Sequence, residues 1–471
     1  MRVTTENDER LRLLDYQLDY LRAELLRLVR ERDEMVYSAS WLLFKPMRRA
    51  EAALVRKVTG LYRRFFPKKA AVVDAPVSTP GPALARGESA APRRLLVDVT
   101  GTIKRDAGTG IQRVVKKVVE ALYRGDAYDI PALAVRAQDG RLYTAHAYAA
   151  TLTGGAPRAA DAEIDVEPGD RLLLLSDSWN AFNELAPLFA RIRAQGGELI
   201  SCVFDLIPEL HPHACHEVTP KLYDAWLRKA LLESDAFLAI SSTVADELAE
   251  FVTTRGFPHR PGLKIGWFHC GSDIALPKAA PAREKIAAVV EGPSPVFLCV
   301  GTIEPRKGQR VALRAFEGLW REGVEAKLVV VGRRGWLDEA ISAELREHAE
   351  QGKRLFWFED ASDAELDFLY SRAKGLVLAS FAEGFGLPIV EAARRGVAAL
   401  CSDIPVFREV GRDGAIYFRV NDSDALAARL YAFLEGEIAA DPQKVLRASW
   451  AEAARQIVEV VARERWSRRL D

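Results

Sequence analysis

The sequence predicts an α/β fold of two doubly wound domains in series behind a helical N-terminal segment. Three observations lead there. Short apolar runs of strand length recur from Leu95 onward with amphipathic stretches between them. A Pro/Ala-rich interruption around Leu276 to Pro295 divides these runs into two trains, and everything before Leu95 has a different chemistry. The chain has 471 residues, 49% hydrophobic and 28% charged, with 32 Gly and 23 Pro. That length supports more than one core, and that composition excludes collagen-like, mostly disordered and disulfide-scaffold classes.

The N-terminal segment reads in three parts. In residues 1–40, Leu11, Leu14, Leu18, Leu21, Leu25 and Leu28 follow at alternating steps of 3 and 4, and Met35 rejoins the register. This is the a/d seam of a left-handed coiled coil, so residues 11–35 are expected to pair with a second copy or with a partner's helix. An amphipathic helix docked on the protein's own body is the alternative. Residues 41–69, WLLFKPMRRAEAALVRKVTGLYRRFFPKK, carry nine bases against the single acid Glu51, interleaved with Trp41, Phe44, Leu54, Leu61, Phe65 and Phe66. That mixture suits a helix lying on an anionic membrane surface, with a solvated basic linker as the plainer reading. Nucleic acid is not expected as a partner, because no recognisable nucleic-acid module accompanies the bases. Residues 70–94, rich in Pro, Ala, Gly and Ser, read as a flexible linker.

Whole-chain charge hides this division. The 66 Lys and Arg balance 66 Asp and Glu, but leaving out 41–69 gives 57 bases against 65 acids. The N-terminus MRVTTENDERLRLL lacks the apolar core of a signal peptide, and no uninterrupted apolar run approaches 18 residues. Cys202, Cys215, Cys270, Cys299 and Cys401 are odd in number and scattered, as expected of reduced packing residues. Together these lead to the expectation of a cytoplasmic protein, peripheral at the inner face of the cell membrane.

The first domain, residues 95–285, has candidate strands at Leu95–Val99, Arg171–Ser176, Leu199–Phe204, Ala236–Ile240 and Lys264–Phe268. The second, residues 286–471, has them at Val296–Val300, Lys327–Val331, Leu355–Phe358, Leu376–Ala379 and Ala398–Cys401, with a final helix free to cross back. Ligands of doubly wound domains bind outside the carboxyl ends of the strands, so the loops there are where chemistry is sought.

Two such loops stand out. Phe381-Ala382-Glu383-Gly384-Phe385-Gly386-Leu387-Pro388-Ile389-Val390-Glu391 follows a strand and opens a helix, with Pro388 suited to its first turn. Gly384 and Gly386 permit close backbone approach, and the amides there can receive a phosphate or sugar oxygen. Glu383 and Glu391, eight residues apart, can face one pocket and grip hydroxyls. Val300-Gly301-Thr302-Ile303-Glu304-Pro305-Arg306-Lys307-Gly308 follows another strand and sets a guanidinium beside an ammonium, which suits a diphosphate. An ordinary packing turn and a solvated basic turn are the respective plain readings.

In combination, EGFGLPIVE preceded about eighty residues earlier by VGTIEPRKG resembles the nucleotide-sugar-binding domain of the retaining glycosyltransferases of family four, which have the GT-B fold of two facing Rossmann-like domains. The resemblance spans most of residues 95–470. It implies transfer of a sugar from a nucleotide diphosphate donor, GDP- or dTDP-linked, to an acceptor hydroxyl, with no other cofactor and no metal. Under it Glu383 contacts the donor sugar, Gly384, Phe385, Gly386 and Leu387 offer amides to sugar and diphosphate, and Glu391 holds the ribose hydroxyls. Arg306 and Lys307 neutralise the leaving diphosphate. Many relatives carry Arg after the glycine of the first loop where this chain has Thr302, so Arg306 is expected to supply more of that charge.

In the first domain Asp106-Ala107-Gly108-Thr109-Gly110-Ile111-Gln112-Arg113 joins a strand to a helix beginning near Ile111. It is similar to the family's glycine loop at the donor phosphates, which makes Gly108, Thr109 and Gly110 donor-binding candidates. A TGTIKRDAGTGIQRVV-like opening is shared with relatives that assemble bacterial surface polysaccharides, O-antigen among them, as mannosyl- or rhamnosyltransferases acting on lipid-linked glycan acceptors. Asp205, after Phe204, is expected in the cleft, either beside the reacting sugar or capping the next turn. His211, His213, Cys215 and His216 have metal-binding atoms without the spacing of a structural zinc site. Asp422-Ser423-Asp424 is better read as a helix cap than as a metal-diphosphate motif. A GT-B epimerase, a phosphorylase, or a coiled-coil scaffold with a degenerate transferase module are the alternatives.

Overall fold

The computed structural model describes residues 94–471 apart from 107, 126–129, 177, 274–281 and 336–338. The leucine register at 11–35, the basic stretch 41–69 and the linker up to residue 93 lie outside the described residues.

Two sheets form from the two trains of apolar runs. The first contains β1 (Leu95–Asp98), β2 (Ala132–Gln138), β3 (Arg141–Thr144), β4 (Glu163–Ile164), β5 (Arg171–Leu174), β6 (Glu198–Val203), β7 (Ala236–Ala239) and β8 (Leu263–Trp267). The second contains β9 (Val296–Val300), β10 (Lys327–Val331), β11 (Leu355–Phe358), β12 (Gly375–Leu378), β13 (Ala398–Ser402) and β14 (Ile416–Phe418). Strands such as LLVD at β1 and AFLA at β7 are buried along their whole length, as parallel strands covered on both faces must be.

The second sheet runs β11-β10-β9-β12-β13-β14, entirely parallel. The order in which strands are added reverses between β9 and β12, and the loops leaving those two strands are the two that the sequence singled out. A crevice at such a reversal is where open α/β sheets take ligands. The first sheet has its own reversal between β1 and β5, where the Asp106–Gly110 loop follows the short helix after β1.

β2, β3, β4 and β14 extend the sheets beyond the strands expected from sequence. β2 and β3 are a two-residue hairpin through Asp139 and Gly140, both with positive φ (48° and 71°), the backbone that an Asp-Gly pair favours. The chain also returns to its first domain. The helix Trp450–Ala462, opened by a Ser449/Glu452 capping box, packs on the helix Gly110–Arg124 and on β8. β15 (Arg468–Leu470) then adds antiparallel to β8, giving the order β15-β8-β7-β6-β5-β1-β2-β3-β4. Glycines seat this return: a Cβ on Gly266 would lie 2.4 Å from Val460 Cγ1, and one on Gly271 would lie 2.4 Å from the Trp450 backbone nitrogen.

Because the Gly271 contact is with backbone, Gly271→Ala is expected to cost about 1–3 kcal/mol through overpacking, read as a lower urea midpoint. An unchanged midpoint would show that the returning helix does not seat there.

Candidate active site

The loops after β9 and β12 are pressed together by glycines. Gly301 (φ 146°) and Gly308 (φ 66°) hold backbone that L side chains rarely adopt, and a Cβ on Gly308 would stand 2.1 Å from the Ala379 carbonyl oxygen. The Phe381 amide donates to the Arg306 carbonyl at 2.9 Å, so the two loops are bonded across the sheet reversal.

This approach builds a part-buried charge cluster. Lys307 Nζ lies 2.6 Å from Glu383 Oε1, Arg306 Nη1 lies 3.0 Å from Glu383 Oε2, and the Ser380 hydroxyl donates to Glu383 Oε1 at 2.8 Å. Arg306 Nε also reaches Glu304 at 2.8 Å. Burial alone would push the Glu383 carboxyl up, but Lys307 and Arg306 outweigh it and hold the group at about 2. Glu304 goes the other way: burial raises its pKa against the pull of the same two cations. Arg306 is therefore shared between two carboxylates, which revises the expectation that it stands ready to supply extra charge to a diphosphate.

Asp205, at the end of β6, faces this cluster from the first domain. Burial raises its pKa while Arg306 and Lys307 lower it, Glu383 adding repulsion. Its Oδ1 also accepts from the Ile207 amide at 3.0 Å, so it caps the turn as well as facing the cleft.

The remaining candidates divide. Gly384 packs into the domain contact: a Cβ there would sit 2.0 Å from the Phe204 carbonyl oxygen, and its own carbonyl accepts from Ser241 Oγ at 2.8 Å. Phe385 is buried against His269, ring centroids 6.0 Å apart. Gly386 (φ 96°) precedes the helix Leu387–Arg394, with Pro388 in the first turn. Glu391 is buried in that helix, paired at 2.9 Å with Arg113 of the first domain. Gly108 (φ 64°), Thr109 and Gly110 form an exposed turn, with Thr109 and Gln112 making a capping box for the helix Gly110–Arg124. Arg333, from the loop after β10, approaches this turn: its Nη1 is 3.7 Å from where a Gly108 Cβ would be. His211 and His213 pack on Phe381 (centroids 5.3 and 6.0 Å), and among the described residues no group of three metal-ligating side chains occurs. Asp422 accepts from the Ala425 amide at 2.8 Å and caps the helix Ser423–Leu434. All five cysteines are buried and free.

Sequence reading missed Glu409. From the helix Pro405–Gly411 it crosses to the first domain and accepts from the amides of Ser242 and Thr243 at 2.8 Å each, from Thr243 Oγ1 at 2.6 Å and from His269 Nε2 at 2.7 Å. A carboxylate at the N-terminus of the helix Ser242–Arg255 meets the positive end of its dipole. Glu304, Ser380, Arg113 and Tyr370 were also missed. Glu304 and Ser380 lie inside or beside the motifs, but nothing local marks a side chain whose partner is distant in sequence.

Two part-buried cations bridged by a carboxylate, at the reversal of strand order in a parallel sheet, make this the candidate site of an α/β protein. Residues 283–457 match the family described as "Glycosyl transferases group 1". The chain is 33% identical over 334 residues to the Escherichia coli serotype-specific mannosyltransferase WbdA, covering 69% of this chain and 39% of that protein. It is 32% identical to the E. coli O-antigen chain mannosyltransferase B, covering 47% of this chain and 58% of that one. The chain thus spans about two fifths of the length of the WbdA relatives. The Anabaena protein Alr3699/HepE, solved with UDP and glucose, aligns with a TM-score of 0.49 at 15% identity, covering 79% of this chain and 95% of that chain.

Removing Glu383 leaves Lys307 without its carboxylate and Arg306 with Glu304 alone, so Glu383→Ala is expected to lose about 1–3 kcal/mol in chemical denaturation, not activity alone. Wild-type stability in that variant would mean the cluster is not formed.

Glu409 makes a pH prediction. Burial would raise its carboxyl, but His269, Thr243 and the Ser242 and Thr243 amides hold it at about 2 against an ordinary 4.5. A depressed pKa stabilises the fold above the ordinary value, and that stability is lost as pH falls towards 2. Glu409→Gln should therefore flatten the loss of stability between about pH 4.5 and 2; a slope equal to wild type would remove Glu409 from the account.

Proposed function

We propose that the protein is a retaining glycosyltransferase that moves a hexose or deoxyhexose, mannose or rhamnose, from a nucleoside diphosphate sugar to a lipid-linked glycan acceptor in bacterial surface polysaccharide synthesis. The observation that carries this reading is the Glu383–Lys307–Arg306 cluster at the β9/β12 reversal, with Asp205 facing it from the first domain. The names of the relatives, mannosyltransferases including those of O-antigen, support the sugar and the pathway class.

In the reaction the bond from the sugar's anomeric carbon to the diphosphate oxygen breaks and a bond to the acceptor oxygen forms on the same face. The acceptor proton passes to the departing phosphate, so no protein base is required. Negative charge grows on the diphosphate, and preorganised cations there lower the barrier. The Lys307 ammonium has three donors, of which Glu383 takes one, leaving two for phosphate oxygens. Glu383, held ionised, accepts from sugar hydroxyls and so fixes the anomeric carbon relative to Asp205. The expected basic helix at 41–69 would hold the enzyme at the membrane face where a lipid-linked acceptor lies.

A thermal-shift panel of GDP-, UDP- and dTDP-sugars tests the donor assignment: the matching donor at a hundredfold excess over its Kd stabilises by about 2.7 kcal/mol. No shift from any of them, or from bare nucleotides, would refute the enzyme reading. The product made from the matching donor should keep the donor's anomeric configuration by NMR, and inversion would refute same-face attack. Anionic vesicles should retain the full chain but not a variant lacking residues 41–69; equal retention would refute the anchoring role.

A further inference from the structure

We propose that Arg113 is a positioning residue for the donor nucleoside, holding the Glu391 carboxylate in the orientation that receives the ribose hydroxyls. The inference rests on the donor reading above and adds to it a residue of the opposite domain.

Glu391 is nearly inaccessible, its side chain 3% exposed, yet its carboxylate is held from both sides. Oε1 pairs with Arg113 Nη1 at 2.9 Å, and Oε2 accepts from the Tyr370 hydroxyl at 3.3 Å. Tyr370 is fully buried, and burial together with the Glu391 charge raises its pKa, so it remains a donor. A carboxylate has about four acceptor positions, and these two partners fix its plane while leaving others open.

The position of Arg113 gives the pair its consequence. It stands one turn inside the helix Gly110–Arg124, which follows directly on the Gly108–Gly110 turn expected at the donor phosphates. Glu391 stands one turn inside the helix Leu387–Arg394, at the end of the Glu383 loop. One ion pair therefore joins the two helix starts that flank the cleft. Without Arg113 a buried carboxylate loses its countercharge, and its orientation is left to one tyrosine hydroxyl.

The test compares ribose with 2′-deoxyribose, because only the former offers Glu391 both hydroxyls. Isothermal titration of the full chain with UDP, 2′-deoxy-UDP, GDP and 2′-deoxy-GDP gives a ribo-to-deoxy affinity ratio for the preferred base. Wild type should prefer the ribo form by about tenfold or more, the worth of a hydrogen bond to a charged group. In Arg113→Met the ratio should fall towards one, Arg113→Lys should recover part of it, and Glu391→Gln should abolish it. The Arg113→Met/Glu391→Gln double variant should be no worse than the poorer single one, as two residues acting through one contact require. Arg113→Gln carries the same comparison if Arg113→Met does not fold. A wild-type ratio in the Arg113 variants, with the ratio lost in Glu391→Gln, overturns this inference and leaves the donor reading standing. A wild type that binds both forms equally overturns the ribose role of Glu391 and Arg113 alike. Failure of the wild type to bind any of the four or dTDP would instead refute the proposed function, and binding of dTDP alone would overturn the ribose role of Glu391 and Arg113.

Discussion

The ion pair between Lys307 and Glu383, 2.6 Å long and part-buried with Arg306 beside it, constrains everything around it. Two loops can bring unlike charges together out of water only if geometry and hydrogen bonding are nearly complete, because desolvation otherwise exceeds the Coulombic gain. The protein meets that condition with backbone. Gly301 and Gly308 let the β9 loop fold onto the end of β12, the Phe381 amide ties the loops, and Ser380 supplies a third partner to the carboxylate. A side chain on Gly308 would displace the β12 end and so the cluster with it.

The same logic extends across the domains. Contact at Gly384 brings the Glu383 loop onto the Phe204 carbonyl, which sets Asp205 near the cluster. Two carboxylates of the second domain then find partners in the first: Glu409 at a helix N-terminus with His269, and Glu391 with Arg113. The returning helix Trp450–Ala462 and β15 add a covalent reason for the halves to stay registered, since the chain's end completes the first sheet. Pairing Lys307 and Arg306 with Glu383 keeps these cations compensated within the fold itself.

Much of this was legible in the sequence because its causes are local. Buried parallel strands leave continuous apolar runs, and Gly-x-Gly before Pro announces a strand-to-helix loop, so the two domains and the Glu383 and Lys307 loops could be read directly. What escaped reading depends on distant partners. Nothing around Glu409 marks it as the cap of a helix more than 160 residues earlier, and Arg113 resembles any helical arginine until Glu391 lies beside it. β2 and β3 alternate weakly, although Asp139-Gly140 carried a hairpin signal that went unused. Charge, too, misled: Arg306 looked available in a basic loop, whereas Glu304, two residues before it, binds it in the fold.

The candidate site depends on Glu383 being an ionised carboxylate clamped by two part-buried cations. Its most direct measurement is a carbon-13 NMR titration of glutamate carboxyls in the full chain, with the resonance of Glu383 assigned by its disappearance in Glu383→Gln. The account predicts no titration of that resonance until the pH approaches about 2. A midpoint at or above the ordinary glutamate value of 4.5 would contradict it, because a carboxylate so held cannot take up a proton there.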